Sequence, residues 1–132
     1  MKIKRDKADI LFSNYVRELA NWKCAKCGTQ YKRKSQGLHA SHFFGRRAES
    51  TRFDLDNVCP HCFACHQFLG SNPNEFVEWK KKQLGQKRYD ELVVKHNTHQ
   101  KKDRKMQALI WEQALQDLCK EKGIDPKFEK LV

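Results

Sequence analysis

Two short stretches decide the fold of this chain: Cys24-Ala25-Lys26-Cys27 and Cys62-Phe63-Ala64-Cys65. Each is a C-x2-C turn, which brings two sulfur atoms close enough to bind one cation, and 34 residues lie between the two turns. Zn2+ favours a closed tetrahedral site of four thiolates. The spacing therefore predicts one structural zinc ion, to which these two turns would supply all the ligands.

A second C-x2-C motif overlaps the second turn and could supply the zinc ligands in its place. Cys59-Pro60-His61-Cys62 has the same spacing, and His61 is a further potential ligand. The alternative interpretation of Cys59 is a buried or spare thiol. The sixth cysteine, Cys119, lies on the apolar face of a predicted helix, and we expect it in the core.

The composition favours a nucleic-acid partner. The 132 residues predict one domain, at most with an appendage, and a core modest enough to benefit from a metal. Lys and Arg total 27 against 16 Asp and Glu, which gives a net charge of +11. The mean hydropathy of −0.89 and the lack of a long apolar run argue against a membrane protein. A strongly basic domain of this kind favours a polyanionic partner, most often nucleic acid.

Residues 1–7 lack the apolar stretch of a secretory signal. We therefore expect the protein in a reducing cytoplasm, where disulfides are rare.

Hydrophobic periodicity and capping residues predict an α+β fold that is mainly helical. The predicted helices span about 9–20, 62–69, 73–84, 87–95 and 100–122. A strand is predicted over 37–44, and after an Arg-rich loop residues 53–58 fit a second strand or an extended return. We divide the chain into a domain over 1–95 and a C-terminal helical extension over 96–132. The last helix would either pack on the core or pair with a second chain, and we assign its apolar face to Met106, Leu109, Ile110, Ala114 and Leu118.

A second set of polar residues stands between the cysteine pairs and just after them: His39, His42, Asn57 and His66. This order resembles the HNH, or ββα-metal, nuclease superfamily. In that family a zinc knuckle precedes a strand ending in a catalytic His, an Asn follows a loop, and C-x2-C-H opens a helix. Additional similarity over about residues 5–92, including Asp6, Ser13 and Arg17, resembles phage recombination proteins of the NinG/Rap type.

The resemblance implies a metal-dependent DNA endonuclease that hydrolyses phosphodiester bonds in phage or prophage recombination. The fold it implies is a small ββα-metal core with a four-cysteine zinc site, flanked by an N-terminal helix and C-terminal helices. Asn57 precedes Cys62 by five residues and His66 by nine, as in many zinc-knuckle members of the superfamily. We therefore assign Cys62 and Cys65 as the second zinc pair and leave Cys59 out.

Phosphodiester hydrolysis requires a base, a metal and cations that hold the phosphate. We expect His42 to be the base and Arg46 to contact the scissile phosphate. His66 would bind the catalytic divalent metal, Mg2+ or Mn2+. Asn57 would fix the hairpin or hold the imidazole ring. A neutral His is a suitable base near pH 7, so we expect activity to rise between about pH 6 and 7.5.

One position departs from the family pattern. Ser41 stands where most members have an Asp that binds the metal. His39 shares a strand face with Ser41 and could replace that ligand; the alternative is that His39 is a solvated strand residue and His66 is the single protein ligand. An imidazole ligand would favour Mn, Co, Ni or Zn over Mg.

Basic residues provide the candidate contacts to DNA phosphates: Lys32, Arg33, Lys34, Arg46, Arg47, Arg52, Lys80 and Lys81. Such charge runs are more often solvated helix faces. A homodimer would allow two active sites to cut both strands of branched DNA. The competing hypotheses are a non-catalytic zinc module that binds nucleic acid and, last, a RING domain, which needs about eight ligands.

Overall fold

The structure is a computed structural model and describes residues 5–125. Within this range the elements are α1 (Lys7–Leu19), β1 (Leu38–His42), α2 (Glu49–Arg52), β2 (Val58–Cys62), α3 (Phe63–Ser71), α4 (Pro73–Leu84), α5 (Gln86–His96) and α6 (Arg104–Lys122). The prediction of a mainly helical protein with a small antiparallel sheet is confirmed. Across residues 5–125, every helix is too short or too polar to span a bilayer.

α1 begins at a capping box formed by Asp6 and Asp9. The Asp6 carboxylate accepts a hydrogen bond from the Asp9 amide at 3.0 Å, and the Asp9 carboxylate accepts one from the Asp6 amide at 3.0 Å. Leu11, Phe12 and Val16 are buried on the apolar face of α1. This helix therefore forms one wall of the core.

The two strands form an antiparallel hairpin with two distinct faces. His39 pairs with His61, and His42 pairs with Val58. Side chains alternate along a strand, so His39 and His42 lie on opposite faces of β1. His42 lies 6.5 Å from Phe12 of α1 between ring centroids, whereas His61 on the other face packs 4.8 Å from Trp79 of α4. The hairpin thus lies between α1 and α4.

The strand predicted over 53–58 is wrong, because β2 begins at Val58. Residues 54–57 instead form a turn in which the Asp54 carboxylate accepts a hydrogen bond from the Asp56 amide at 2.8 Å. Within the predicted loop, Glu49–Arg52 is a short helix. The apolar–polar alternation that suggested a strand therefore belongs to a turn, and Leu55 within it is exposed.

α4 and α5 follow their predicted bounds closely. Pro73 occupies the first turn of α4, and Gly85 ends that helix with φ of 83°, a backbone conformation that favours glycine. Asn72 stands at the cap position, but its side chain donates to the Phe68 carbonyl at 2.7 Å instead of capping α4.

α6 packs along α1 and contributes Leu115 and Cys119 to the core that contains Leu11 and Trp22. The expectation for Cys119 is confirmed. Part of the segment that we separated as an extension thus belongs to the main core, whereas residues 126–132 lie outside the described range.

The predicted apolar face of α6 is partly wrong. Met106, Leu109 and Ile110 are exposed. Trp111 packs against Phe12 with ring centroids 4.7 Å apart, and this contact turns those three side chains away from α1.

Candidate functional site

The four predicted zinc ligands come together. The sulfur atoms of Cys24, Cys27, Cys62 and Cys65 all lie within 4.8 Å of one another. A tetrahedral ion with Zn–S bonds of about 2.3 Å requires sulfur–sulfur separations of about 3.8 Å. The Cys27 and Cys62 sulfur atoms are 3.8 Å apart, so the cluster could hold one structural zinc ion.

The local backbone shapes the first half of this cluster. The Gly28 amide donates to the Cys24 carbonyl at 3.0 Å, and the φ of Gly28 is 77°, which favours glycine over other residues. The Thr29 hydroxyl and amide lower the pKa of Cys27 to about 6. The Cys62 amide donates to Cys24 Sγ at 3.3 Å. These donors favour sulfur atoms in the thiolate form that a metal binds.

The chemistry of the ligand set also fits a cation. Burial and the neighbouring cysteines raise the pKa of Cys65 to about 12, because thiolates crowd together without a positive charge between them. A bound Zn2+ reverses this effect, since a coordinating thiol is deprotonated. We therefore expect metal binding to release protons.

Cys59 and His61 lie outside the four-cysteine cluster, as we expected for Cys59. The Cys59 sulfur accepts hydrogen bonds from Lys80 Nζ at 3.3 Å and from Gln83 Nε2 at 2.7 Å. His61 is fully buried between the aromatic rings of Phe76 and Trp79.

A cavity of about 500 Å3 opens beside the hairpin and brings three of the predicted site residues together. His39, His66 and Arg46 line it, and the rings of His39 and His66 are 5.4 Å apart between centroids. Imidazole nitrogens bind divalent metals at about 2.1 Å, which allows two rings at about this separation to share one ion. His66 Nδ1 is buried without a hydrogen-bond partner, so these two rings fit a metal.

His42 is held by the loop that follows β1. Its Nε2 lies 3.0 Å from the Arg52 carbonyl oxygen, which can only accept, so Nε2 carries the proton and Nδ1 keeps a lone pair. Burial lowers the pKa of His42 to about 4, and the nearby Arg46 charge adds to that effect. The ring is therefore neutral well below pH 7. This low pKa differs from the value near 6.5 on which our sequence-based pH expectation rests.

Asn57 acts on the backbone of this loop. It is fully buried; its Oδ1 accepts from the Phe44 amide at 2.8 Å, and its Nδ2 donates to the carbonyls of Phe44 and Thr51. Of the two roles that we considered, the structure places Asn57 where it fixes the hairpin. Its side chain is therefore placed to fix the hairpin and is not exposed at the surface.

Arg52 is buried, which corrects its assignment as a DNA contact. Its guanidinium donates to both carboxylate oxygens of Asp9, at 2.8 and 2.5 Å, and to the Arg46 carbonyl at 3.3 Å. The bond to Arg52, together with that to Asp6, holds the pKa of Asp9 below its usual range, although burial alone would raise it. Arg52 thus ties the loop to α1.

The remaining basic candidates differ in how exposed they are. Three of them are exposed: Lys32, Lys34 and Arg47. Arg46 is half-buried in the cavity wall, and the ammonium group of Lys81 lies over the Tyr89 ring. Lys80 is only 1% exposed and faces Cys59, so it is not placed to reach a phosphate. Arg33 donates to the Glu18 carboxylate at 2.9 Å, where Lys122 also binds.

Two buried polar residues of α1 were not among our site candidates. Asn14 and Arg17 line the same cavity as His39 and His66. The sequence signal is weak: both interrupt an amphipathic helix, and their i, i+3 spacing puts them on one face.

The fold and the cysteine cluster define a class: a small, mainly helical α+β protein organised around a candidate zinc site. The family described as bacteriophage lambda NinG protein matches residues 3–122. The chain therefore belongs to the NinG family, which confirms the phage part of the resemblance. Neither a curated protein nor a solved structure matches the chain significantly.

Proposed function

We propose that this protein is a zinc-stabilised, metal-dependent DNA endonuclease of the HNH class that acts in phage DNA recombination or processing. The observation that carries the proposal is the cavity in which His39, His66 and Arg46 meet. Membership of a phage family and the order of β1, β2 and α3 support it.

The proposed roles follow from the positions of the side chains. His42 is the proposed general base, a role taken from the resemblance: its ring is neutral, and Nδ1 keeps a lone pair that can take a proton from water. His42 is not among the residues that line the cavity and lies on the face of β1 opposite His39, so the cavity itself does not support this role. Arg46 supplies a positive charge near both His42 and His66, where a phosphate would bind. His66, with His39, would hold Mg2+ or Mn2+, and that ion would supply Lewis-acid stabilisation of the phosphate charge.

DNA is the proposed partner because exposed Lys32, Lys34 and Arg47 add to the cationic cavity. These residues would contact phosphates without reading sequence, so affinity should fall steeply as salt rises.

A non-catalytic zinc module that binds nucleic acid is the second candidate. One observation favours it: Ser41 is buried, and neither Asp nor Glu occurs among the described residues lining the cavity. Divalent metal binding at His39 and His66 would then be weak, since hard cations prefer carboxylate ligands.

The test is incubation of the zinc-loaded protein with linear, supercoiled and four-way-junction DNA, each with Mg2+, Mn2+ or no added metal. We expect cleavage of at least one DNA form when a divalent metal is added and none in its absence. If folded protein binds these DNAs but cuts none of them with either metal, the nuclease proposal fails and the binding module is favoured.

A further inference from the structure

The wall of the cavity formed by α1 contains a buried cation with an unusual set of partners. Arg17 is 8% exposed; its Nη2 donates to Asn14 Oδ1 at 2.9 Å, and its Nη1 donates to the Leu38 carbonyl at 3.4 Å. Both acceptors are neutral. Among the described residues, no carboxylate forms an ion pair with Arg17, in contrast to the buried Arg52, which binds Asp9.

Two donors of this pair have no partner. Arg17 Nε and Asn14 Nδ2 are buried and form no hydrogen bond in the structure. Asn14 itself is fully buried. Buried donors in folded proteins are nearly always satisfied, and an unpaired buried charge is costly. Two orphaned donors that line one cavity therefore point to a ligand that accepts hydrogen bonds and carries negative charge.

The rest of the cavity favours an anion of nucleotide size. Arg5, Lys34 and Arg46 also line it, and no acidic side chain does among the described residues. Burial, with the neighbouring Arg5 charge, lowers the pKa of Arg17 only to about 10, so the guanidinium remains charged near pH 7. A volume of about 500 Å3 is within the range of small-molecule sites. The planar guanidinium fork matches the oxygen atoms of a phosphate group.

We propose that Arg17 and Asn14 form a phosphate subsite that holds an internal phosphodiester of a nucleic-acid strand beside His39 and His66. The nucleic-acid identity of the ligand rests on the proposed function, whereas binding of the phosphate group does not. Arg17 then binds one phosphate group of the nucleic-acid strand, and this contact positions the neighbouring phosphate group at His39 and His66.

Trp22 provides a direct readout of this subsite. It lines the cavity, and the Arg17 guanidinium lies 5.5 Å from the centroid of its ring. We would titrate the zinc-loaded protein with inorganic phosphate and follow tryptophan fluorescence, with chloride at matched ionic strength as the reference. We expect a saturable change with phosphate and none with chloride. The absence of a saturable phosphate response would overturn the proposal.

A variant that removes the Arg17 charge, compared with a matched control, tests the role of Arg17. Arg17→Gln should weaken phosphate binding at least about tenfold, because it removes the charge and the fork. Arg88→Gln is the matched control, since Arg88 is exposed and pairs with Asp56 on the surface. It should bind phosphate as the wild type does. Equal affinity in folded Arg17→Gln and the wild type would overturn the proposal.

Asn14→Asp separates ligand binding from a purely structural role. The new carboxylate would keep the bond to Arg17, neutralise its charge and occupy the anion site internally. We expect thermal stability to be kept or raised and phosphate affinity to fall at least about tenfold. A stable Asn14→Asp protein with unchanged phosphate affinity would show that Arg17 is only structural.

The source of the phosphate is tested with thymidine trinucleotides with and without a 5′-phosphate. Both should compete with inorganic phosphate; competition by the 5′-phosphorylated form alone would overturn the assignment to an internal phosphodiester. Parallel DNA cleavage assays separate the two proposals. Phosphate binding at Arg17 without any cleavage would contradict the nuclease only, whereas cleavage with unchanged phosphate affinity in Arg17→Gln would contradict the subsite only.

Discussion

The four-cysteine cluster and the loop between β1 and β2 hold the hairpin by different means. The cluster gathers four sulfur atoms within 4.8 Å through two local turns. The loop is held by single polar side chains: Asn57 binds its backbone, and Arg52 reaches Asp9 on α1. Each half of the zinc site is a C-x2-C motif that can be recognised in the sequence, although 34 residues separate the two halves. The candidate catalytic loop depends instead on single side chains that belong to no such repeated motif, such as Arg52 and its partner Asp9.

Loss of a zinc ligand should have the largest effect. Cys65→Ser should lose zinc and unfold the protein, because metal binding of this kind is coupled to folding. Cys59→Ser is the matched control; it should keep one zinc per chain, since Cys59 binds Lys80 and Gln83 instead. Elemental analysis and circular dichroism provide the readouts. Zinc retained in Cys65→Ser but lost in Cys59→Ser would contradict the assignment.

Loss of the ion pair between Arg52 and Asp9 should have the next largest effect on stability. Arg52→Met removes both guanidinium hydrogen bonds from the buried Asp9 carboxylate and leaves it the Asp6 amide and the more distant Arg104, so we expect the free energy of unfolding to fall by about 3–5 kcal/mol. Urea denaturation measures this value, and Arg47→Met, at an exposed position, should change it far less. The double variant with Asp9→Asn should lose less than the sum of the two single losses. A loss for Arg52→Met no greater than that for Arg47→Met would show that the pair contributes nothing.

Removal of the Asn57 side chain should lower the free energy of unfolding by less than Arg52→Met does. Asn57→Ala leaves the Phe44 amide and carbonyl and the Thr51 carbonyl without their partner. We expect a loss of about 1–3 kcal/mol in the free energy of unfolding. Asn74→Ala, at an exposed position of α4, is the control. Equal stability of the two variants would mean that water satisfies these groups just as well.

The contrast between cluster and loop also explains what the sequence could predict. Each C-x2-C turn acts over a few residues, and the structure confirms that the two turns come together. The capping box at Asp6 and Pro73 in the first turn of α4 are local features of the same kind. The burial of Lys80 was not predictable, because no motif in the sequence links it to its partner Cys59, 21 residues away. The same holds for Arg52, whose partner Asp9 is 43 residues away.

The rotation of α6 and the start of β2 were missed for similar reasons. Trp111 packs against Phe12 of α1, and the hydrophobic periodicity of α6 alone does not predict this contact. The turn over 54–57 depends on the Asp54 side chain and on Asn57, which joins Phe44 across the loop. The resemblance predicted roles in the site for His39, His66 and Arg46 among the cavity residues, and it included Ser13 and Arg17 without a role. Asn14 enters the cavity through the packing of α1.

The smallest predicted effect is the pH dependence of cleavage by the wild type. A general base must be neutral, and a pKa lowered to about 4 leaves His42 neutral throughout the range from pH 6 to 7.5. As far as His42 is concerned, kcat/KM should therefore be flat there and fall only as pH drops toward 4. Zinc content and circular dichroism at each pH control for loss of the fold. A rise centred near pH 6.5 would mean that His42 titrates as an exposed histidine does.

Cleavage by His42→Ala tests the proposed nuclease most directly. The zinc-loaded variant, the wild type and His99→Asn, a control at an exposed histidine, would be compared in a time course on the DNA form that the wild type cuts, with Mn2+ added. We expect His42→Ala to lose at least about 10²-fold in rate, while its zinc content, circular dichroism and DNA affinity match those of the other two proteins. Cleavage by folded His42→Ala at the wild-type rate would contradict the proposed mechanism.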